Sequence, residues 1–276
     1  MDSALEEIEF LALSGNRVTV LERLAEAPHT RVELAEATDA SQPTLGRILR
    51  DFEERQWVAH DGTAYVATAT GRLVAEEFRS LRGTVETERR LRPVIEWLPT
   101  EEMAVDLRRL ADARITSPSR TRPSAPVDRL LELIRDAGRV RIVSHAFNEA
   151  SLDAIRERAV DGEGSFAFEG VFSPAALDAV ARDDRLRDRL RELVDADHAE
   201  IRIHDGPVPL AVTITDDVVH LLLRDDEGLL RAAVDSDDEA VLAWAETAHV
   251  RYWRDAEPLD PTALASGTLG DDSTVE

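Results

Sequence analysis

The spacing of apolar residues in the first third of the chain predicts a run of short amphipathic helices. Apolar side chains recur at intervals of three and four over residues 5–12 and again over residues 18–25, which predicts two helices. Thr30 and Glu33 have the spacing of a capping box, in which each side chain satisfies an N–H group that the first helical turn leaves free. They predict a third, shorter helix over residues 31–37.

A fourth helix, residues 42–56, is predicted with one buried and one exposed face. Ser41 is its N-cap, and Pro43 stands in its first turn, where the missing N–H of proline costs little. Apolar residues at i, i+3, i+4 and i+7 form a stripe that we expect to be buried: Leu45, Ile48, Leu49 and Phe52.

The third and fourth helices, joined by a tight turn, have the order of a helix-turn-helix. Two short strands follow, residues 57–60 and 63–67, around a tight Asp61-Gly62 turn in the position of a wing. We therefore predict a winged helix-turn-helix DNA-binding domain over residues 1–70. The alternative is an ordinary helical bundle in which none of these elements contacts DNA.

The exposed side chains of the fourth helix suit the major groove of double-stranded DNA. A recognition helix presents its N-terminal residues to base edges, where glutamine suits adenine and arginine suits guanine. We expect Gln42, Thr44 and Arg47 to read bases or to position the helix. Arg50 and Ser41 would contact phosphate, and the wing would lie near the minor groove. The candidate DNA-binding residues are Ser41, Gln42, Pro43, Thr44, Arg47 and Arg50.

Residues 71–98 are predicted to connect two domains, mostly as one helix that is capped by Thr70 and ends near Leu91. The apolar stripe of this helix spans only two heptads, fewer than indicate a coiled coil. It either packs on its own winged helix or pairs with a second copy, since two-fold operators need two-fold proteins. Both interpretations stay open, and we expect a homodimer. The stripe consists of Val74, Phe78, Leu81 and Val85.

Residues 99–258 alternate between predicted helices and strands and then contain four strands in quick succession. This order predicts an α/β domain with a mixed sheet and helices on its faces. Residues 259–276 are expected to form a disordered acidic tail. The predicted helices cover residues 99–111, 127–137, 149–160, 174–194 and, after a capping box of Ser236 and Glu239, the chain to about 254; the predicted strands cover residues 114–116, 140–144, 166–172, 200–204, 210–215, 218–224 and 229–234.

Three segments of this arrangement carry a family resemblance: residues 113–118, 139–143 and 228–245. With the predicted winged helix in front, the chain resembles archaeal regulators that have a middle domain of the methanogenesis-regulatory-protein type, distantly like the sugar-sensing regulator TrmB. The resemblance covers about residues 5–258. It implies transcriptional regulation and a regulatory domain with a phospholipase-D-like, non-catalytic fold, without implying a particular effector.

The composition adds a strong acidic bias. The chain has 56 Asp and Glu residues against 33 basic ones, all of them arginine, and a formal net charge of −23. Such a surface suits molar salt, where the Debye length is about 3 Å and self-repulsion is screened. Residues 1–92 contain 12 arginines and 17 acidic residues, whereas the rest contains 21 and 39. We therefore expect a halophilic archaeal protein with its DNA-binding surface at the front.

Several function classes are excluded by residues that the chain lacks. It has no cysteine, which excludes disulfides, thiolate metal sites and a cysteine nucleophile. It also has no apolar run of the roughly 18 residues that a membrane span needs. Phospholipase D chemistry needs a histidine followed two residues later by lysine, but Phe147 stands at that place after His145. Phosphate-loop and His-Glu-x-x-His patterns are also missing. We expect a cytoplasmic protein with no enzymatic activity, cofactor, metal site or membrane contact.

Polar residues just after predicted strands are candidates for binding a small-molecule effector. Ligands of open α/β sheets favour the carboxyl ends of strands. The alternative is that these residues cap helices and close turns. The candidates are Ser144, His145, Asn148, Ser173 and His204.

Together these patterns predict a sequence-specific DNA-binding transcriptional regulator whose α/β domain modulates DNA binding through a ligand or partner. The alternative is a winged-helix protein-interaction module with an α/β assembly scaffold. The lower acidity of the front third favours the regulator, because an interaction module has no need of it.

Overall fold

The computed structural model describes residues 3–162, 166–209 and 211–260. The chain divides into two compact units, residues 1–88 and 89–276. The predicted disorder of the acidic tail falls almost entirely on residues 261–276, which lie outside the described residues.

The first unit is built from helices and one small sheet. Two of its helices begin at the predicted caps, Thr30 and Ser41, and the capping box of Thr30 and Glu33 is present in both directions. Hydrogen bonds from the backbone and the hydroxyl of Thr30 lower the pKa of Glu33. The described helices are α1 (Ser3–Ala12), α2 (Gly15–Glu26), α3 (Arg31–Glu36), α4 (Gln42–Glu54) and α5 (Ala69–Leu91).

The small sheet of this unit contains the predicted hairpin. Its strands are β1 (His29–Thr30), β2 (Val58–Asp61) and β3 (Ala64–Ala67), in the order β1-β3-β2. Asp61 pairs with Ala64, so the two-residue turn is Gly62-Thr63, one residue later than expected. Gly62 has a φ of 63°, a conformation that residues with a side chain rarely adopt.

Two helix boundaries in this unit differ from the prediction. Helix α4 ends at Glu54 because Gln56 takes a left-handed conformation with a φ of 58°, and the N–H of Trp57 bonds back to the Phe52 carbonyl at 2.9 Å. Thr70 does not cap α5. The Thr68 hydroxyl accepts the Gly71 N–H at 3.1 Å instead.

The second unit is built on one mixed sheet, as predicted. The described strands follow the order β11-β7-β6-β5-β8-β9-β10-β4. Strands β5, β6 and β7 are mutually parallel, and the other neighbours are antiparallel. The strands are β4 (Arg114–Thr116), β5 (Arg139–Ser144), β6 (Ala167–Phe172), β7 (Ala199–Ile203), β8 (Ala211–Ile214), β9 (Val219–Arg224), β10 (Leu230–Ser236) and β11 (Glu257–Pro258).

Each face of this sheet has its own hydrophobic core, because alternate residues of a strand point to opposite faces. In β9, Leu221 packs in a core with α10, whereas Leu222 packs against the core under α6–α9. The described helices of this unit are α6 (Ala125–Asp136), α7 (Glu149–Arg156), α8 (Pro174–Ala181), α9 (Asp184–Val194) and α10 (Glu239–Asp255), with short 3-10 helices at Ile95–Trp97 and Leu107–Leu110 and a π-helical turn at Glu157–Asp161.

Three sequence predictions for this unit are wrong. The predicted helix over residues 99–111 is mostly irregular and contains only the 3-10 turn at Leu107–Leu110. The predicted helix over residues 174–194 is two helices, because the Asp183 side chain caps α9 by accepting two backbone N–H groups. The last helix is capped by Asp238 rather than by Ser236, which ends β10.

A polar cluster is buried between the sheet and α6. Asp235 of β10 accepts hydrogen bonds at 2.7 Å from Arg129 Nε and at 2.6 Å from His220 Nδ1. His220 is fully buried, and Asp235 is 5% exposed. Burial favours the neutral acid, but the bonds from His220 and Arg129 outweigh it and lower the pKa of Asp235.

We expect Asp235→Ala to lower the free energy of unfolding by about 1–3 kcal/mol, because the fully buried His220 ring loses its hydrogen-bond partner, whereas Arg129 keeps its pair with Glu132. Denaturant unfolding in molar KCl measures the change. The control is Asp188→Ala, which removes an exposed pair with Arg191 and should have little effect. Equal midpoints for the two variants would contradict the prediction.

A second buried histidine makes the stability of this unit depend on pH. His249 of α10 is 2% exposed, and its ring stacks on Trp253 at 5.4 Å. Burial lowers the pKa of His249 to about 4; the Glu169 carboxylate 3.9 Å away opposes this effect, while Arg141 and Arg139 add to it. The folded protein therefore keeps this ring neutral at pH values where the unfolded chain protonates it.

Stability should accordingly fall as the pH drops from 6.5, the unfolded value, towards 4, because only the unfolded state takes up the proton in that window. The loss is about 3 kcal/mol at most. We expect His249→Phe to remove it while keeping the aromatic contact with Trp253. Unfolding curves of both proteins between pH 7 and pH 4 measure the difference. Parallel curves would show that His249 is not the responsible group.

Candidate nucleic-acid interface

The first turn of α4 is fixed by its own side chains. Ser41 Oγ accepts the backbone N–H of Thr44 at 3.4 Å, and the two hydroxyl groups lie 2.9 Å apart. Pro43 stands within this turn, as predicted. The Thr44 hydroxyl therefore takes part in the cap, which makes this residue a positioning group rather than a free hydrogen-bonding one.

The predicted division of α4 into two faces is confirmed. Its apolar stripe is at most 2% exposed, whereas the side chains of Gln42, Arg47 and Arg50 are exposed. Among the described residues, no ion pair to Arg47 or Arg50 is found. The buried stripe consists of Leu45, Ile48, Leu49 and Phe52.

A third arginine lies at the same end of α4, and the sequence analysis missed it. Arg31, the first residue of α3, donates from Nη2 to the Gln42 carbonyl at 2.6 Å. Its guanidinium group also covers Gly46, where a Cβ atom would lie only 2.7 Å from Arg31 Nη2. A glycine inside a helix is an unfavourable choice that often marks a close approach, and this was the available signal.

Some of the acidic groups near the second half of α4 have partners within the unit. Asp51 pairs with Arg17 at 3.7 Å. Arg55 donates from Nε to Glu7 at 2.6 Å and lies over the ring of Phe10. From Ser41 to Arg50 the sequence contains no acidic residue. The first half of α4 is thus a cationic surface in a strongly acidic chain.

The hairpin offers fewer contacts for DNA. Its exposed His60 packs against the ring of Tyr65 with 4.0 Å between the ring centres. Asp61 ends β2 beside the turn, and residues 58–67 contain no arginine. The hairpin therefore offers no arginine to a phosphate group.

The candidate ligand residues of the second unit lie at one edge of its sheet. The parallel ladder of β5, β6 and β7 aligns the strand ends, so that Ser173 N–H bonds to the Ser144 carbonyl at 3.4 Å and His204 N–H to the Phe172 carbonyl at 3.0 Å. The Ser173 hydroxyl also donates to the His145 carbonyl at 3.3 Å. Ser144, His145, Ser173 and His204 are therefore neighbours along this edge.

Most of these side chains are engaged in local hydrogen bonds. Ser144 Oγ donates to the Ala146 carbonyl at 2.8 Å, and Asn148 Oδ1 accepts the Ser151 N–H at 3.2 Å as the N-cap of α7. Ser173 caps α8. His204 Nδ1 accepts the Gly206 N–H at 3.1 Å.

The residues that the structure describes contain no group of three or more His, Asp or Glu side chains that could hold a metal ion. None of their helices combines the length and the apolar character that crossing a bilayer requires.

Solved structures resemble the chain only weakly. TrmBL2, described as an archaeal chromatin protein with a novel mode of DNA binding, is 18% identical over 92% of this chain and 100% of its own, with a TM-score of 0.40. NucT from Helicobacter pylori is 13% identical over 53% of this chain and 98% of its own, with a TM-score of 0.43. Nuc from Salmonella typhimurium, a phospholipase D family member, is 14% identical over the same shares, with a TM-score of 0.40. Likenesses this weak assign no function.

Family models give the more specific result. No curated protein matches the sequence significantly. Residues 5–90 match the model of the HVO_A0261 N-terminal domain. Residues 123–255 match the model of the middle domain of the methanogenesis regulatory protein FilR1, which includes every element from α6 to α10. The chain therefore belongs, as its sequence indicated, to the archaeal regulators that carry a FilR1-type middle domain behind such an N-terminal domain.

Proposed function

We propose that the protein is a sequence-specific transcriptional regulator that binds double-stranded DNA through a winged helix-turn-helix in its first unit. The observation that carries this proposal is the acid-free first half of α4, with Arg47 and Arg50 exposed and Arg31 packed beside them. Such a surface is suited to a polyanion, although the chain as a whole has a net charge of −23.

The geometry of α4 suggests a role for each candidate residue. Gln42 and Arg47 lie on the exposed face of its first two turns, which a recognition helix presents to base edges. Arg50 and the N-cap Ser41 are suited to phosphate, which the positive end of the helix dipole also attracts. Thr44 and Pro43 would hold the first turn in place.

The acidic remainder of the chain suggests that binding takes place in the cytoplasm of a halophilic archaeon. Binding through released counterions weakens by about 0.9 log units per neutralised phosphate for each log unit of salt. In molar salt, recognition would depend on direct contacts to bases and on DNA shape, and non-specific binding would be weak. The second unit would then adjust DNA affinity through a small-molecule effector or a partner.

We expect the double variant Gln42→Ala/Arg47→Ala to lose specific binding by about 30-fold or more, because each lost base contact costs about 1–3 kcal/mol. Fluorescence anisotropy in molar KCl, with fragments upstream of the protein's own gene and elsewhere in the genome, measures the loss. The matched control is Arg108→Ala, which removes an exposed arginine of the second unit that pairs with Asp106. It should bind within about twofold of the unchanged protein.

Equal binding by the double variant and the unchanged protein would mean that another element recognises DNA. Saturable binding to no fragment in the genome would contradict the regulator and favour the protein-interaction module.

We also propose that the regulator is a homodimer formed through α1 and α5. These helices border an apolar groove of about 390 Å³ on the first unit, where Ile8 is 43% and Leu81 is 48% exposed. Helix α1 carries three glutamates and no cation, whereas α5 carries five arginines and four glutamates. In a dimer, apolar residues of α1 in one copy would contact those of α5 in the other, and the α1 glutamates would face the α5 arginines. The groove is lined by Ala4, Glu7, Ile8, Leu11, Trp57, Val74, Glu77, Phe78 and Leu81.

Leu81→Glu should convert the dimer to a monomer, because a dimer would bury the added carboxylate in an apolar contact. Light scattering behind size exclusion in molar KCl measures the mass. Leu229→Glu is the matched control, since Leu229 is 54% exposed in a turn of the second unit. A dimeric Leu81→Glu variant, or an unchanged protein that is monomeric at micromolar concentration, would contradict this dimer.

A further inference from the structure

A small cavity lies between the sheet of the second unit and its helices α6 and α7. Its volume is about 40 Å³, room for roughly three water molecules. It opens beside the carboxyl end of β5, and its walls include Leu152 of α7 and Thr213 of β8. This place lies at the strand edge where open α/β sheets commonly bind ligands.

One hydroxyl group in the cavity wall has no hydrogen-bond partner among the described residues. Ser151 is 6% exposed, and its Oγ atom is buried without a donor or acceptor. Two of the neighbouring polar side chains are engaged locally, since Ser144 bonds within its turn and Asn148 Oδ1 caps α7. A buried hydroxyl without a partner is destabilising and rare in native proteins, so this one calls for an explanation.

The chemistry of the wall limits what the Ser151 hydroxyl could bind. None of the lining residues is charged, and most are apolar. An ion would lose hydration there without gaining a charged side chain as partner, which disfavours carboxylates, phosphates and ammonium groups relative to neutral molecules. A neutral molecule with one oxygen acceptor loses little hydration, and its oxygen can accept a hydrogen bond from Ser151. Phe147, half-buried and stacked on Phe172 at 4.1 Å, borders the cavity and would have to move for a ligand larger than a few heavy atoms.

We propose that this cavity binds a neutral, mostly apolar small molecule whose carbonyl or hydroxyl oxygen accepts a hydrogen bond from Ser151. The inference rests on the proposed regulatory function for its biological meaning, because it names the class of effector that the second unit would sense. The binding itself is independent of DNA and is tested without it.

Acetone and acetate are matched probes, because they have the same size and shape and differ in charge. Amide chemical shifts of the full-length protein are followed in molar KCl while acetone, propan-2-ol or acetate is added. We expect saturable shifts around Ser151 with acetone and propan-2-ol, and at least tenfold weaker binding of acetate. Absence of saturation with the neutral probes would mean that the cavity holds water only, and equal binding of acetate would overturn the assigned ligand class.

Ser151→Ala separates a binding role of the hydroxyl from a structural one. We expect this variant to bind acetone about three- to tenfold more weakly, the effect of one lost hydrogen bond. Its melting temperature should be unchanged or higher, whereas loss of a structural hydrogen bond would lower it. The exposed Ser80→Ala is the control and should change neither value.

Unchanged acetone affinity in Ser151→Ala would overturn the proposal. If this variant did not fold, the comparison of acetone with acetate on the unchanged protein would still decide the ligand class. DNA anisotropy is recorded in a separate experiment. A protein that binds acetone and no DNA would contradict only the regulator, and the opposite result only the cavity.

Discussion

The burial of one stripe of α4 determines which side chains the first unit presents to a partner. Leu45, Ile48, Leu49 and Phe52 recur at helical spacing and are almost completely buried, so the rotation of the helix about its axis is fixed. With that rotation, Arg47 can only point away from the core. At the N-terminal end of the helix, Arg31 donates a hydrogen bond to the Gln42 carbonyl, and this contact limits how far the first turn can move.

Electrostatics then explains why this surface differs from the rest of the chain. A net charge of −23 repels a polyanion at a distance, unless salt shortens the range of that repulsion to a few ångströms. At such range only nearby groups matter. Asp51 pairs with Arg17 and Glu7 pairs with Arg55, so two carboxylates of this unit already have a cationic partner. A locally cationic helix can therefore function on a globally acidic protein, provided that the salt concentration is high.

The elements that the sequence predicted best are those defined by local chemistry. Thr30 with Glu33, and Ser41 with Pro43, specify helix starts through contacts within one turn, and both are present. Errors arose where the deciding contact was not visible in the pattern. The charged periodicity of residues 174–194 continues through Asp183, yet its carboxylate accepts two N–H groups and starts a new helix. Gln56 ends α4 in a conformation for which glycine is the usual signal.

The same distinction applies to the candidate sites. The residues on α4 could be identified because the buried stripe of a helix implies its exposed face. For Arg31 the sequence offered only Gly46, which marks a close approach without showing which residue approaches, since Arg31 lies 11 residues from Gln42 and acts through a contact between helices. In the second unit, position after a strand selected Ser144 and Ser173 but could not show that their hydroxyls are used in a turn and a cap. Ser151 has no special position in the sequence, being a helix residue on the face that meets the sheet. In the structure its hydroxyl is buried without a hydrogen-bond partner, whereas the hydroxyls of Ser144 and Ser173 are engaged. The sequence pattern contains no sign of this difference.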